Sequence, residues 1–426
     1  MKIKEYNNHT YMTRIAIITC LLGYSFGALA QCVEDTSFDA DDLSIDDISL
    51  KWSSAPETAN SHGQPFVADL DGDGSPEVIV TNEQNSTLNI LNSLDNGAYD
   101  SISKSTPGAI DLGFKPYNTV AIGDLDGTES DYPSIVVAGY TGTLASPVHK
   151  MSIWRYDEVA NAMDHINTFD IDSLTGSNSA PGTIGIANFE GTDTDAKIYF
   201  ANVILNADGS VYAQGTDADW PTTIGYGSLA LDVLNDDGIL ELITAGKIWS
   251  VSAGSLTLAE NINVDIDLDA SITGDYYVKT WSNLASGNDD SRVMISAADY
   301  NLDGNIDLVF PGALGSGKTD PTHVFLWSPK DSTVSVFKPS NNHPRGTGRI
   351  AMGDTDGDGA LNALFVSGNT LYNLNENFQQ QWSFTVNEGN TTGYSGVTLY
   401  DFDGDGKSEI LYRDRDYFKT FSDLGT

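Results

Sequence analysis

Four stretches of the 426-residue chain set oxygen-bearing side chains at the first, third, fifth and ninth positions of a short loop. They are Asp69, Asp71, Asp73 and Glu77; Asp299, Asn301, Asp303 and Asp307; Asp354, Asp356, Asp358 and Asn362; and Asp401, Asp403, Asp405 and Glu409. Glycine at the sixth position permits a sharp turn. The main-chain carbonyls of Ser75, Asn305, Ala360 and Lys407, at the seventh, add a further oxygen to each set. Carboxylates crowded this closely repel one another, whereas a hard divalent cation takes about 6–8 oxygens at roughly 2.3–2.6 Å. The irregular mixture of carboxylate and carbonyl suits Ca2+ better than Mg2+, which demands a near-ideal octahedron. One Asp–Gly loop is an ordinary hairpin turn; four full copies in register call for a different cause.

A fifth loop offers Asp232, Asn235, Asp237 and Glu241 but carries one extra residue. Two more are eroded. The second in chain order keeps Asp124 and Asp126 but has Ser134 at the closing position, with Asp131 as a possible substitute. The third begins at Asn188 and closes with Lys197, whose ammonium would compete with a divalent ion. That loop is expected to hold none.

The elements that position these loops follow from the same repeat. Each loop lies between two apolar stretches, as in PFVADLDGDGSPEVIV from Pro65 and RIAMGDTDGDGALNALFV from Arg349. The first loop positions are Asp69, Asp124, Asn188, Asp232, Asp299, Asp354 and Asp401, 44 to 67 residues apart, which fits four short strands per repeat with loops of variable length. Seven such repeats predict an all-β, seven-bladed β-propeller over residues 48–426. The residues before the first aspartate, among them Ala68, Gly123, Ala187, Ala298 and Gly353, are mostly small, as crowding near a propeller axis requires. Further strands are expected at Thr87–Leu91, Met151–Tyr156 and His323–Trp327. Ile48–Trp52 stands before the first repeat much as Phe378–Trp382 stands before the seventh. It is expected to supply the outer strand of the last blade, closing the ring and covering an unpaired edge.

These repeats resemble FG-GAP repeats, familiar from integrin α-subunit propellers and many secreted bacterial proteins. The resemblance implies calcium in the loops on one face of the propeller and partners on the opposite face. The segments that reach that face contain His62, Tyr117, Trp220, Tyr226, His343, Arg345 and Tyr394.

Composition narrows the function classes. With 60 acidic against 21 basic residues the formal net charge is −39, which disfavours nucleic acid and anionic membrane as partners. Met12-Thr-Arg14, the apolar run Ile15–Leu22 and Ala28-Leu29-Ala30 read as a signal peptide over residues 1–30, followed by an acidic linker over 31–47. The run is too short to cross a bilayer, and no later segment is apolar enough. The expected location is outside the cell, on a bacterial cell surface or in the periplasm. Cys20 and Cys32 are the only cysteines, so there is no disulfide framework, and Cys32 sits in a weak lipoprotein-like context. Gly312–Thr319 matches a nucleotide-binding P-loop pattern, but strand-like HVFLW follows where a helix is needed, so no nucleotide is expected. No zinc spacing, nucleophile elbow or other catalytic constellation is recognisable. The sequence therefore points to a binding or adhesion module for an extracellular protein or glycan, with calcium mainly structural. A calcium-dependent polysaccharide lyase on the same scaffold is the alternative.

Overall fold

The recurrent phrase folds as a hairpin in every copy. In a computed structural model of the chain, the described residues are 65–93, 99–101, 109–127, 132–143, 146–175, 183–191, 195–215, 228–244, 246–261, 295–313, 322–340, 350–387, 397–401, 404–413 and 418–421. They form seven antiparallel sheets, each built from neighbours in the sequence.

Sheet one holds Phe66–Ala68, Glu77–Asn82 and Thr87–Ser93, the last pairing with both Tyr99–Ser101 and Ala109–Asp111. Sheet two holds Lys115–Gly123, Ser134–Thr143, Ser146–Asp157 and Ala162–Asp170, and sheet three Gly185–Ala187, Lys197–Phe200, Val203–Leu205 and Val211–Gln214. Sheet four is Leu229–Leu231, Glu241–Thr244, Lys247–Ser252 and Ser255–Asn261; sheet five is Ser296–Ala298, Asp307–Ala313, Thr322–Ser328 and Thr333–Phe337. Sheet six is Ala351–Gly353, Asn362–Ser367, Thr370–Leu374 and Gln380–Thr385. Sheet seven shows three strands among the described residues, Val397–Tyr400, Glu409–Arg413 and Phe418–Phe421.

In sheets two to six, which have a sheet against either side, the second strand is largely apolar on both faces; all six residues of Asn362–Ser367 are buried. Outer strands such as Ala162–Asp170 face solvent and are polar for that reason. Six buried clusters join the sheets in sequence order. Leu70 and Ile79 meet Ile135 and Val137 between sheets one and two, and Val136 and Ile153 meet Ile198 and Phe200 between two and three. Phe189 and Ile204 meet Trp249, and Ile243 and Ile248 meet Phe310 and Phe325. Val309 and Val324 meet Phe365 and Tyr372, and Leu364 and Val366 meet Ile410 and Tyr412. Face-to-face stacking of consecutive four-stranded sheets is the architecture of a β-propeller.

The first strands of sheets two and three, three and four, five and six, and six and seven also touch, as the small residues there allow. A Cβ on Gly123 would come within 3.1 Å of Ile186 in the next sheet, and one on Gly353 within 3.0 Å of Leu399. The expected strands at residues 87–91, 151–156 and 323–327 are present, and Phe378–Trp382 leads into the outer strand of sheet six. Ala313 pairs with Thr322, so the glycine-rich segment between them joins two strands of one hairpin rather than strand and helix. Residues 1–64, and with them the presequence, Cys32 and the expected closing strand Ile48–Trp52, lie outside the described residues.

Sheet two departs from the common pattern. Its first three strands run 9, 10 and 12 residues, and its first strand bulges. Pro116 pairs with Gly139 and Val120 with Val137, leaving Tyr117, Asn118 and Thr119 opposite Ala138 alone. A one-turn helix, α1 (Asp172–Thr175), follows the sheet.

Candidate metal centres

The seven loops share one frame. In each, the residue before position one pairs across the ladder with the closing residue: Ala68 with Glu77, Gly123 with Ser134, Ala187 with Lys197, Leu231 with Glu241, Ala298 with Asp307, Gly353 with Asn362 and Tyr400 with Glu409. The loop is thus a hairpin turn whose ends the sheet fixes. Position one folds it inward by accepting main-chain N–H groups. Asp69 takes those of Gly72 and Gly74 at 2.8 and 2.9 Å, Asp354 those of Gly357 and Gly359 at 2.7 and 2.8 Å, and Asp401 those of Gly404 and Gly406 at 2.7 and 3.0 Å. Asp299 accepts from Asp303 and Gly304, and Asp232 from Asp236 and Gly238. The sixth-position glycines Gly74, Gly238, Gly304, Gly359 and Gly406 have φ between 80° and 92° with open space around a notional Cβ, so backbone conformation and not room selects glycine there.

The closing residue lies under the loop. Glu77 and Asp307 are fully buried, and Glu241 and Asn362 nearly so. Each accepts the N–H of position two: Leu70 to Glu77 Oε2 at 2.7 Å, Val233 to Glu241 at 2.9 Å, Tyr300 to Asp307 at 2.9 Å and Thr355 to Asn362 at 2.9 Å. Burial pushes the carboxyls of Glu241 and Asp307 above their ordinary range. Glu77 is pushed up to about 7, first by burial and then by the charges of Asp71, Asp73 and Asp69, against the Leu70 amide.

In two loops three carboxylate oxygens lie within 4.8 Å of one another, among the described residues: Asp69, Asp71 and Glu77, and Asp354, Asp356 and Asp358. Glu77 Oε1 and Asp356 Oδ1 are buried without a hydrogen-bond partner. A buried anionic oxygen left without a donor is costly, and a cation at the centre of the loop would satisfy both. The donor set fits a hard ion.

The remaining expected ligands are placed less uniformly. Asn362 spends its one side-chain oxygen on Thr355, accepting from both its N–H and its hydroxyl, at 2.9 and 2.8 Å. Asp307 accepts from Ser328 Oγ as well as from the Tyr300 and Asn301 amides. Asn235 and Asn301 each donate to the next acidic position, Asp237 and Asp303, at 2.9 Å. That match shows that the extra residue of the fifth candidate is absorbed before Asn235. Ser75, Asn305, Ala360 and Lys407 donate their N–H groups to Asp73, Asp303, Asp358 and Asp405 at 2.7–2.8 Å. Asp403 and Asp131 lie outside the described residues.

The eroded loops contain cations of the protein's own. Arg155, paired with Ser134 across the ladder, makes an ion pair with Asp126. Lys197 is buried, donates to the carbonyl of Asp195 at 2.7 Å and lies 5.2 Å over the Tyr212 ring. Position two, which the sequence reading passed over, is buried in Leu70, Leu125, Phe189, Val233, Tyr300 and Thr355. Its signal was visible as an apolar, aromatic or β-branched residue directly after the first acidic or amide position of each loop.

A second polar group occupies the far end of sheet two, away from its loop. Tyr117 and His149 share a 2.8 Å hydrogen bond between the phenol and Nδ1, and Tyr140 donates to Glu83 at 2.7 Å. The two tyrosine rings stack at 5.3 Å. Asp172 accepts the His149 N–H at 2.7 Å. His149 is 1% exposed, its Nε2 has no partner, and burial lowers its pKa. Burial raises the Tyr117 phenol, and burial together with Glu83 pushes Tyr140 up to about 12. Of the aromatic and basic residues expected on this face, Tyr117 is within the described residues; His62, Trp220, Tyr226, His343, Arg345 and Tyr394 are outside them.

No protein-family model matches the chain, and no curated protein sequence matches it. Among solved structures, the chain is similar to the Vibrio cholerae biofilm matrix protein Bap1, with 14% identity, TM-score 0.43, and 89% of this chain and 82% of that one covered. It is also similar to a Penicillium chrysogenum alpha-L-arabinanase complexed with arabinobiose, at 10% identity and TM-score 0.38, covering 82% and 88%. A periplasmic gluconolactonase of Pseudomonas aeruginosa matches at 12% and 0.34, covering 81% and 78%. No helix of the described residues is long and apolar enough to cross a membrane.

Proposed function

We propose that the chain is a secreted, calcium-binding β-propeller of the FG-GAP type, with seven blades closed by the N-terminal strand Ile48–Trp52, serving as a binding or adhesion module. The observation that carries the calcium reading is Glu77, a fully buried carboxylate whose Oε1 has no donor and which shares a 4.8 Å cluster with Asp69 and Asp71. Calcium bound there supplies charge neutralisation and ties the loop to its sheet. Seven sheets stacked in order support the blade number, and a seventh sheet with three strands among the described residues is compatible with closure by a strand from elsewhere in the chain.

With a dissociation constant near 10 µM and about 1 mM free calcium, each occupied loop would contribute about 2.7 kcal/mol to stability. The test is the full chain equilibrated in millimolar calcium and then in EGTA. Four or five calcium ions per chain by elemental analysis and a large fall in Tm on chelation are expected. Equal Tm values in the two buffers would end the calcium reading.

A second reading, a polysaccharide lyase, is favoured by one observation: the Tyr117–His149 pair, a proton donor and acceptor in contact at the end opposite the loops. A glycan array run beside an absorbance assay for unsaturated uronate products separates the two. Binding without product supports the module; product formed by the native chain and abolished in Tyr117→Phe supports the enzyme.

A further inference from the structure

In loops two and three a cation supplied by the chain sits on an oxygen of a ligand position. Arg155 stands directly across the ladder from Ser134, the closing position, and its guanidinium pairs with Asp126, the third position, whose counterpart in the first loop belongs to the carboxylate cluster. Lys197 is itself the closing residue, and its ammonium takes the carbonyl of Asp195. Asp195 lies two residues before the closing position, as Ser75 does before Glu77, so this is the seventh-position carbonyl that would ligate a metal. In both loops a tethered cation occupies an oxygen that an ion would otherwise take; the other oxygen of Asp126, Oδ1, is buried without a hydrogen-bond partner, but it belongs to a carboxylate whose charge Arg155 already balances. The closing residues of the other five loops are Glu77, Glu241, Asp307, Asn362 and Glu409, none of them basic. Lys330 does reach the fourth sheet's loop, but its partner Asp236 is not one of the ligand positions and is largely exposed.

We propose that Arg155 and Lys197 are built-in replacements for the metal, so that sheets two and three form a unit that keeps its shape without divalent cation. The inference rests on the calcium reading of the other loops. The two sheets are neighbours and share one core, in which Leu125, Val136 and Ile153 meet Ile198, Phe200 and Val203. Their self-sufficiency is therefore contiguous and includes the Tyr117–His149 group.

Hydrogen exchange of the native full chain, in millimolar calcium and after EDTA, tests this without mutation. Exchange should rise by at least about tenfold in sheets one and four to seven, and by less than about twofold in sheets two and three. Calcium bound and then removed with sheets two and three opening as far as the rest would overturn the inference and leave the calcium reading standing. No bound calcium and no change in any sheet would overturn the calcium reading, and the inference with it. The double variant Ser134→Glu, Arg155→Gln should bind one more calcium per chain than the native protein; an unchanged count in a folded variant overturns the inference as well.

Discussion

Glu77 is held where a carboxylate has little reason to be charged, beneath a loop of three aspartates and out of contact with water. Its replacement by glutamine keeps the acceptor for the Leu70 amide and removes the charge. Glu77→Gln should therefore lose one calcium per chain and about 2–3 kcal/mol of stability in millimolar calcium, with little loss in chelator; paired melts in the two buffers measure the difference. His149 makes an independent prediction. Its folded pKa lies below the ordinary 6.5, from burial and against the nearby Asp172, so the neutral ring is the form the fold accepts. The stability this represents is complete above about pH 6.5 and is lost as the pH falls through that value toward the lowered folded pKa. Tm measured downward from pH 7 should fall more steeply in the native chain than in His149→Gln. At this scale the sequence was legible for the acidic positions, because ligand spacing is a local property. Arg155 was not, because it reaches Asp126 from a later strand and nothing in its own neighbourhood marks it.

At the scale of elements, the loop and the sheet interface are one structure. The position-two residue gives its N–H to the closing side chain and its own side chain to the core shared with a neighbouring sheet, as Leu70 does with Ile135 and Val137. Leu70→Ala should cost about 3 kcal/mol through the cavity, and should weaken calcium binding at the first loop as well; isothermal titration beside denaturant unfolding reads both. In Tyr300 the tie is polar too: its hydroxyl donates to the carbonyls of Leu374 and Asn375 in sheet six at 3.3 and 2.8 Å. Strand positions at residues 87–91, 151–156 and 323–327 were legible from alternation. The bulge at residues 117–119 was not, since a three-residue mismatch is decided by the partner strand and by Gly139, where a Cβ would fall 2.2 Å from the Lys115 carbonyl.

For the molecule as a whole, whose net charge is −39, six cores in sequence order keep the layers between the described sheets apolar, while the acidic positions of the loops lie in turns at the sheet ends. On the proposed closure by Ile48–Trp52, deleting residues 48–52 should leave sheet seven with a bare edge, lowering Tm and producing concentration-dependent self-association seen by light scattering. The fold class was readable because the repeat is periodic over most of the chain. The opposite end was readable only in outline, since its loops differ from sheet to sheet and follow no common phrase.

The second and third strands of sheet two, at 10 and 12 residues, outrun the corresponding strands Glu77–Asn82 and Thr87–Ser93 of sheet one, so the Tyr117–His149 group sits on a hairpin longer than its neighbour.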